Sequence, residues 1–340
     1  MYTISVDSGS SSVSLKNLLK SFLLIIEKYP GFKFRVFVDS ENFFLALKLS
    51  EGHPRVEVLE CKYIASVGLD LSEIYYDVES DKYDYTVTRA VQDCICGASD
   101  ACLIMGDPLH ASIIAGKLER KIGTIKQNSP KGLAVLLPTF QLEKRLLLDV
   151  GIAGSTNLFN LALLGETFGK YLFKSPQKIS FVNSVLEDNR ARKDTKKSVL
   201  AYREKFPHSV DRLFIKPNEL FKKAPCTVAI CNGSHGNLIL ETISGMLDFI
   251  AFINKKEEEK LVFPVLSSMF FGESVDTVSE AFKERGCLGF LLGFRFPIFT
   301  LSPFLDQKHI ASSIEDILSK TELFTKFLEE FDKLNFEDSE

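Results

Sequence analysis

The chain has 340 residues, 45% of them hydrophobic, enough for a large core in one or two domains. Its formal charge of −4 argues against a nucleic-acid binder, which is usually basic, so no nucleic-acid partner is expected. The seven cysteines make neither a CxxC pair nor a Cys/His zinc pattern and read as buried thiols, and no apolar run reaches membrane-spanning length, so a cytoplasmic location is expected. From the N-terminus, "YTISVD" (2–7) reads as a strand and "LKNLLKSFLLIIEKY" (15–29) as a helix. "KFRVFVD" (33–39) is a strand and "SENFFLALKLS" (40–50) a helix with Ser40 as its N-cap. "RVEVLEC" (55–61), "YTVTRAVQDCIC" (85–96) and "ACLIMGD" (101–107) continue as strand, helix and strand.

The second half keeps the alternation. "GLAVLLP" (132–138) and "KRLLLDVG" (144–151) read as strands joined by a short polar link. "TNLFNLALLGETFGKYLF" (156–173) has helical spacing, and "KISFVNS" (178–184) and "DRLFIKP" (211–217) read as strands. Alternation of this kind predicts an α/β fold with a large, mostly parallel sheet covered on both faces. Five strands run into small or polar turns: Asp7 to Ser10, Gly106-Asp107, Gly151 to Ser155, Asn183-Ser184 and Asn232-Gly233. Ligands of open α/β sheets bind beyond the carboxyl ends of strands, so these turns predict one shared cleft.

The most informative stretch is "CTVAICNGSHGNLILETISGML" (226–247). A short apolar run stops at Asn232-Gly233, and a helical rhythm begins at Leu238. A helix start leaves about four N–H groups without intrahelical partners and carries the positive end of the helix dipole. Gly233 and Gly236 would let backbone approach an anion and adopt positive φ, and Asn237 could donate to a phosphate oxygen. A plain helix start with turn glycines explains the same letters. His235 is either a phosphate contact and proton donor or an exposed turn residue.

In chain order these turns resemble those of the PlsX family, bacterial phosphate acyltransferases that convert acyl-(acyl carrier protein) and phosphate into acyl phosphate for phospholipid synthesis. The family's DxMGGD turn falls at "DSGSSS" (7–12), SAGNTGA at "IMGDPLHA" (104–111), and LDLGANVD at "LDVGIAGS" (148–155). LNIGEEExKG falls at "VNSVLEDNRA" (182–191), NEL at 218–220, and LLG-x-x-x-P at "LLGFRFP" (291–297). The most specific match is DGFTGNVxLKTxEG with "CNGSHGNLILETISG" (231–245), where Gly233, Gly236, Asn237, Leu240, Thr242 and Gly245 fall in place without a gap. Polar positions depart from the family: Ser10, Ser11 and Ser12 replace two glycines and an Asp, Asp107 replaces Asn, Ser155 replaces Asp, and "SPFL" (302–305) stands for HGSS.

The resemblance implies an isopropylmalate/isocitrate dehydrogenase-like αβα sandwich in a single domain, 1–340, with a protruding helical pair near 245–285. It implies acyl transfer from acyl carrier protein to phosphate without a cofactor or metal. Arg190 and His235 are the catalytic candidates. Gly106, Asp107, Asn183, Glu187, Asn232, Gly233, Gly236 and Asn237 are the candidates for holding phosphate or substrate. It further implies a homodimer and peripheral contact with the inner membrane face through residues 261–271. The basic loop "RARKDTKK" (190–197) could steer the acidic carrier protein. Two other readings stay open: a catalytically impaired binding or scaffold protein of this fold, favoured by the substituted polar positions, and phosphotransacetylase-like transfer to coenzyme A.

Overall fold

In the computed structural model most strands and helices fall where local pattern puts them, alternating except at the strand pair 132–148 until the last third. Residues 1–9, 12–65, 84–124, 126, 128–139, 143–152, 157–173, 177–183, 193–222, 226–258, 288–301 and 305–336 are described. The strands are β1 (Tyr2–Asp7), β2 (Phe32–Asp39), β3 (Val56–Cys61), β4 (Ala101–Ile104), β5 (Gly132–Pro138), β6 (Lys144–Leu148), β7 (Ile179–Val182), β8 (Phe214–Ile215), β9 (Val228–Ile230), β10 (Leu288–Leu292) and β11 (Ile298–Leu301). The helices are α1 (Ser12–Lys28), α2 (Ser40–Leu49), α3 (Thr86–Ile95), α4 (Pro108–Lys121), α5 (Leu158–Phe173), α6 (Lys193–Lys205), α7 (Gly233–Glu258), α8 (Gln307–Ser319) and α9 (Thr321–Phe331).

Two local expectations are corrected. Asp39, not Ser40, is the N-cap residue of α2; Ser40 is already helical and its hydroxyl donates to the Cys61 carbonyl at 3.2 Å. The strand expected over 211–217 shrinks to Phe214–Ile215, because Pro217 lacks an N–H and opens a 3₁₀ turn whose Glu219 carboxylate accepts from Lys216 N–H.

All eleven strands form one sheet, in the order β3-β2-β1-β4-β11-β10-β5-β6-β9-β7-β8. Neighbours are parallel from β3 through β11, and again from β6 through β8. Between these blocks three antiparallel pairings occur in succession: β11 with β10, β10 with β5, and β5 with β6. Short links explain two of them, since only antiparallel strands can be joined by a tight turn. Gly293 (φ +96°) begins the β10–β11 link, and Thr139 N–H donates to Glu143 O at 2.8 Å across the β5–β6 link. An odd number of reversals leaves β6, β7, β8 and β9 running opposite to β1, β2, β3 and β4.

Helices cover both faces, as expected of an αβα sandwich. On one face α1, α2, α5, α6, α8 and α9 pack on the larger core cluster. The abundant phenylalanines are used here: the Phe168 ring lies 5.1–5.3 Å from those of Phe290, Phe324 and Phe327, tying α5 to β10 and α9. Each such buried ring contributes ~2–3 kcal/mol. On the other face α3 and α4 pack over β1, β2 and β4. Cys61, Cys94, Cys102, Cys226 and Cys231 are buried free thiols as expected, whereas Cys96 is exposed and Cys287 lies outside the described residues.

The 26-residue α7 meets β6, and its Ile239 and Leu240 pack on the second core cluster. Leu238 is 64% and Met246 60% exposed. Past residue 258 the expected helical pair, and all of 261–271, lie outside the described residues. Among those described, no helix is long and apolar enough to cross a membrane.

Arg145, in β6, is buried and donates to the carbonyls of Glu219, Leu220, Lys222 and Cys226. It thereby clamps the Asn218-Glu219-Leu220 turn to the sheet. Arg145→Met, which keeps the stem but leaves four carbonyls without a donor, is expected to lower the unfolding free energy by about 3 kcal/mol in urea titrations. A loss below about 0.5 kcal/mol would mean that water satisfies the turn equally well.

Candidate functional site

At the carboxyl ends of β6 and β9 the start of α7 is pressed against the turn after β6. Asn232 caps the helix: its Oδ1 accepts from Ser234 N–H at 3.0 Å and from Ser234 Oγ at 2.7 Å. Gly151 N–H donates to Gly233 O at 2.9 Å. A Cβ at Gly236 would lie 1.9 Å from the Asp149 carbonyl oxygen and 2.9 Å from Cys231 Sγ. Gly236 is therefore required by helix–strand packing, and neither it nor Gly233 has positive φ; that conformation belongs to Gly151 (φ +87°). The expectation that these two glycines adopt positive φ is corrected accordingly. Gly151 also faces Asn237, whose Oδ1 would be 3.4 Å from a Cβ at 151.

Other groups fix this edge. Asp149 is fully buried, and its Oδ1 accepts from Leu133 N–H at 2.8 Å and Ile152 N–H at 3.3 Å. Cys231 Sγ donates to the Asp149 carbonyl at 3.0 Å, and burial pushes this thiol's pKa far up, which favours the neutral thiol. Asn183 follows β7 at the same edge, its N–H donating to Ile215 O at 2.9 Å. His235 and Asn237 are exposed in the first turns of α7, which carry no acidic residue at the helix start. Such an arrangement can hold an oxyanion with the N–H groups of Gly233 and His235, which have no intrahelical partner, and the Asn237 amide.

A second polar cluster lies at the carboxyl ends of β1 and β4. Asp7 is buried; Thr86 Oγ1 donates to its Oδ1 at 2.6 Å and Gly106 N–H to its Oδ2 at 3.2 Å. Desolvation raises the Asp7 carboxyl pKa, offset in part by Thr86, by the N–H groups of Gly9 and Gly106, and by the nearby His110. A Cβ at Gly106 would sit 2.8 Å from Asp7 Oδ2, so this glycine makes room for the carboxylate. Asp107 caps α4, accepting from Leu109 N–H at 2.8 Å. His110 is buried with its Nε2 3.9 Å from Asp107 Oδ2.

The two clusters do not share an edge. Because β6, β7 and β9 run opposite to β1 and β4, Asn183, Asn232, Gly233, Gly236 and Asn237 leave the sheet at one edge, and Gly106 and Asp107 at the other. This corrects the single cleft expected from the five turns: polarity at a strand end is visible in sequence, strand direction is not. Glu187 and Arg190 lie outside the described residues. Sequence reasoning missed the Asp7–Thr86 pair, 79 residues apart, for which no local signal exists. It also missed Asp149, although "LDVG" marked its place. Among the described residues no His/Cys/Asp/Glu group could hold a metal ion.

A family model described as "Fatty acid synthesis protein" matches residues 2–292. The chain belongs to this family, PlsX. Relatives named phosphate acyltransferase include one from Aliarcobacter butzleri, 24% identical over 322 residues and 92% of each chain, and one from Lysinibacillus sphaericus, 22% identical over 318 residues and 92% of each chain. Among solved structures, a branched-chain phosphotransacylase from Enterococcus faecalis aligns with a TM-score of 0.56 at 13% identity, over 94% of this chain and 99% of that one. A 4-hydroxythreonine-4-phosphate dehydrogenase from Klebsiella pneumoniae aligns with a TM-score of 0.50 at 12% identity, over 94% and 100%. These likenesses support the fold: a large mixed sheet, mostly parallel, between helices.

Two paired measurements test the site's construction. Gly236→Ala is expected to lower the unfolding free energy by about 3 kcal/mol because a backbone carbonyl must move. Gly245→Ala, on the same helix with open space at its Cβ, is expected to raise it by ~0.5–1 kcal/mol. For Asp7 the sign follows from a folded-state pKa above the ordinary 3.8: the folded state holds its proton longer than the unfolded state. Native stability therefore falls as pH rises from 3.8 through the raised value, then stays lowered. In unfolding titrations across that window Asp7→Asn should lack this fall; parallel profiles for the two proteins would contradict the assignment.

Proposed function

We propose that the protein is a phosphate acyltransferase that forms acyl phosphate from acyl-(acyl carrier protein) and inorganic phosphate for phospholipid synthesis. The observation that carries this reading is membership of PlsX combined with a helix start at 232–237 seated on the β6 turn, where His235 and Asn237 are exposed. Phosphate is already an anionic nucleophile, so the protein's task is to hold it in line with the thioester carbonyl and to stabilise the oxyanion. A phosphate oxygen attacks the acyl carbon, the C–S bond breaks, and the departing thiolate takes up a proton released by hydrogen phosphate. The N–H groups of Gly233 and His235 and the Asn237 amide hold the anion. Asn183 follows β7 at the same edge, the resemblance to the family assigns substrate binding to Glu187 and the cation to Arg190, and the His235 imidazole passes the proton.

On this reading the carrier protein is the acyl donor and the working unit is a homodimer. A second copy would cover the apolar side chains that α7 exposes. Residues 261–271 are the proposed peripheral membrane contact. Gly106 and Asp107 serve the β1–β4 crevice rather than the phosphate.

Acyl phosphate formed from palmitoyl-(acyl carrier protein) and phosphate, trapped with hydroxylamine, tests the reading. Wild type should turn over, and Asn237→Ala and Arg190→Ala should each reduce kcat/KM by ~10–100-fold, as expected for lost oxyanion or phosphate contacts. Loss in Asp107→Ala with Asn237→Ala unaffected would move the phosphate to the opposite edge. No turnover by folded wild type would overturn the enzyme reading and leave a scaffold of the same fold, the reading the substituted serines at 10–12 favour.

A further inference from the structure

A buried ion pair stands at the edge where α7 begins. Gly132 of β5 pairs with Leu292 of β10, and Ala134 with Leu148 of β6. The start of β5 and the ends of β10 and β6 therefore meet at the edge that carries Asn237. Lys131 immediately precedes β5, and its Nζ lies 3.5 Å from Oε2 of Glu119 in the last turn of α4. The Glu119 side chain is 2% exposed and that of Lys131 20%. Both also hold the β10–β11 link. Lys131 Nζ donates to Gly293 O and lies 4.0 Å from the centroid of the Phe294 ring, and Glu119 Oε1 accepts from Arg295 N–H at 2.8 Å. Gly293 is pressed against the chain before β5: a Cβ there would lie 2.1 Å from the Pro130 carbonyl oxygen, and its own carbonyl also accepts from Ser129 Oγ at 3.3 Å.

From this pair a short path leads to Asn237. Two residues after Lys131, Leu133 donates its N–H to Asp149 Oδ1 at 2.8 Å, and its carbonyl accepts from Val150 N–H at 3.0 Å. Ile152 N–H donates to the same carboxylate oxygen at 3.3 Å. The Asp149 carbonyl is the group that leaves no room for a Cβ at Gly236, and Gly151 faces Asn237. Leu133, Val150 and Phe294 belong to the core cluster on which Ile152 and the α7 residues Ile239 and Leu240 pack, so the ion pair and the helix start share a face as well as an edge. Desolvation lowers the Lys131 pKa and Glu119 opposes that shift, so the carboxylate supports the charged form. Buried ion pairs add little net stability, and neutral side chains of similar volume replace them at small cost. What such a pair fixes is position, because an ammonium held by a carbonyl, a carboxylate and a ring admits few other arrangements.

We propose that Lys131 and Glu119 are positioning residues for the phosphate: by tying the β10–β11 link and the end of α4 to the start of β5 they hold Leu133, and through it the Asp149–Ile152 turn that sets Asn237. The anion and its place at Asn237 are those of the reading under Proposed function, on which this assignment rests.

Lys131→Met alone would leave the Glu119 carboxylate buried without its cation. The paired variant Lys131→Met with Glu119→Gln removes both charges and keeps an oxygen for the Arg295 N–H, so it should fold, which circular dichroism checks. With palmitoyl-(acyl carrier protein) and inorganic phosphate as substrates, its KM for phosphate should rise ~10-fold while its KM for the carrier protein stays as in wild type. A merely structural role would not separate the two KM values. Glu119→Gln alone should show the same separation at smaller size. Arg35→Met with Asp93→Asn removes a part-buried ion pair between β2 and α3, near the far end of the sheet, and should leave both KM values unchanged. Amide hydrogen exchange reads the same path without turnover: the Leu133 and Ile152 N–H groups should exchange faster in the paired variant, and the Phe34 N–H, bonded to Arg55 O on the far side of the sheet, should not. Unchanged exchange at Leu133 and Ile152, or a parallel rise of both KM values, would overturn the assignment. If folded wild type makes no acyl phosphate, the activity alone fails. Calorimetric titration with inorganic phosphate then decides the positioning role: weaker binding by the paired variant supports it, and equal binding overturns it.

Discussion

A helix can be seated on the end of a strand with no side chain between them only if the contacting residue is glycine. At residue 236 a single methyl group would lie 1.9 Å from the Asp149 carbonyl oxygen, too close for both to stay. This contact fixes where α7 begins, and with it the direction of its free N–H groups and the placement of Asn237 over Gly151. The surrounding groups serve the same contact: the Cys231 thiol donates to the Asp149 carbonyl, and the Asp149 carboxylate is turned away into the backbone of Leu133 and Ile152. A backbone cradle built this way needs few conserved side chains, which is consistent with a family member in which several polar motif positions have changed while these glycines remain.

The second governing feature is the direction of the strands. Two tight links and one further antiparallel pairing in the middle of the sheet reverse its second half. Polar turns that look equivalent in sequence are consequently divided between two edges. At the β1–β4 edge Asp7 keeps its carboxylate buried with Thr86 and Gly106, and Asp107 is occupied as a helix cap. At the β6–β9 edge the first turn of α7 carries no acidic residue, and Ser234, His235 and Asn237 are exposed. A helix start carries the positive end of the helix dipole, which favours an anion at the second edge.

Much of the architecture was legible from local pattern. The run at 101–104 is fully buried and did form a strand, and the helical spacing of 156–173 formed a helix, buried nearly all round from Leu158 to Gly169. Where local reading failed, a specific competitor won. Pro217 and the Glu219 cap shortened the strand at 214, and Asp39 displaced Ser40 as the cap of α2. At the site, the glycines and asparagines of 232–237 were found from their letters, but the reason for Gly236 was misread. The reason lies in a carbonyl 87 residues upstream, which no window of sequence contains.

By itself the sequence determined where strands, helices and turns fall, which turns are polar, and membership of a family, because these follow from short-range periodicity, turn chemistry and motif order. The tertiary structure alone decided which turns share an edge and which glycine is a packing residue. Those outcomes depend on the direction in which strands pair and on atoms brought together from distant parts of the chain.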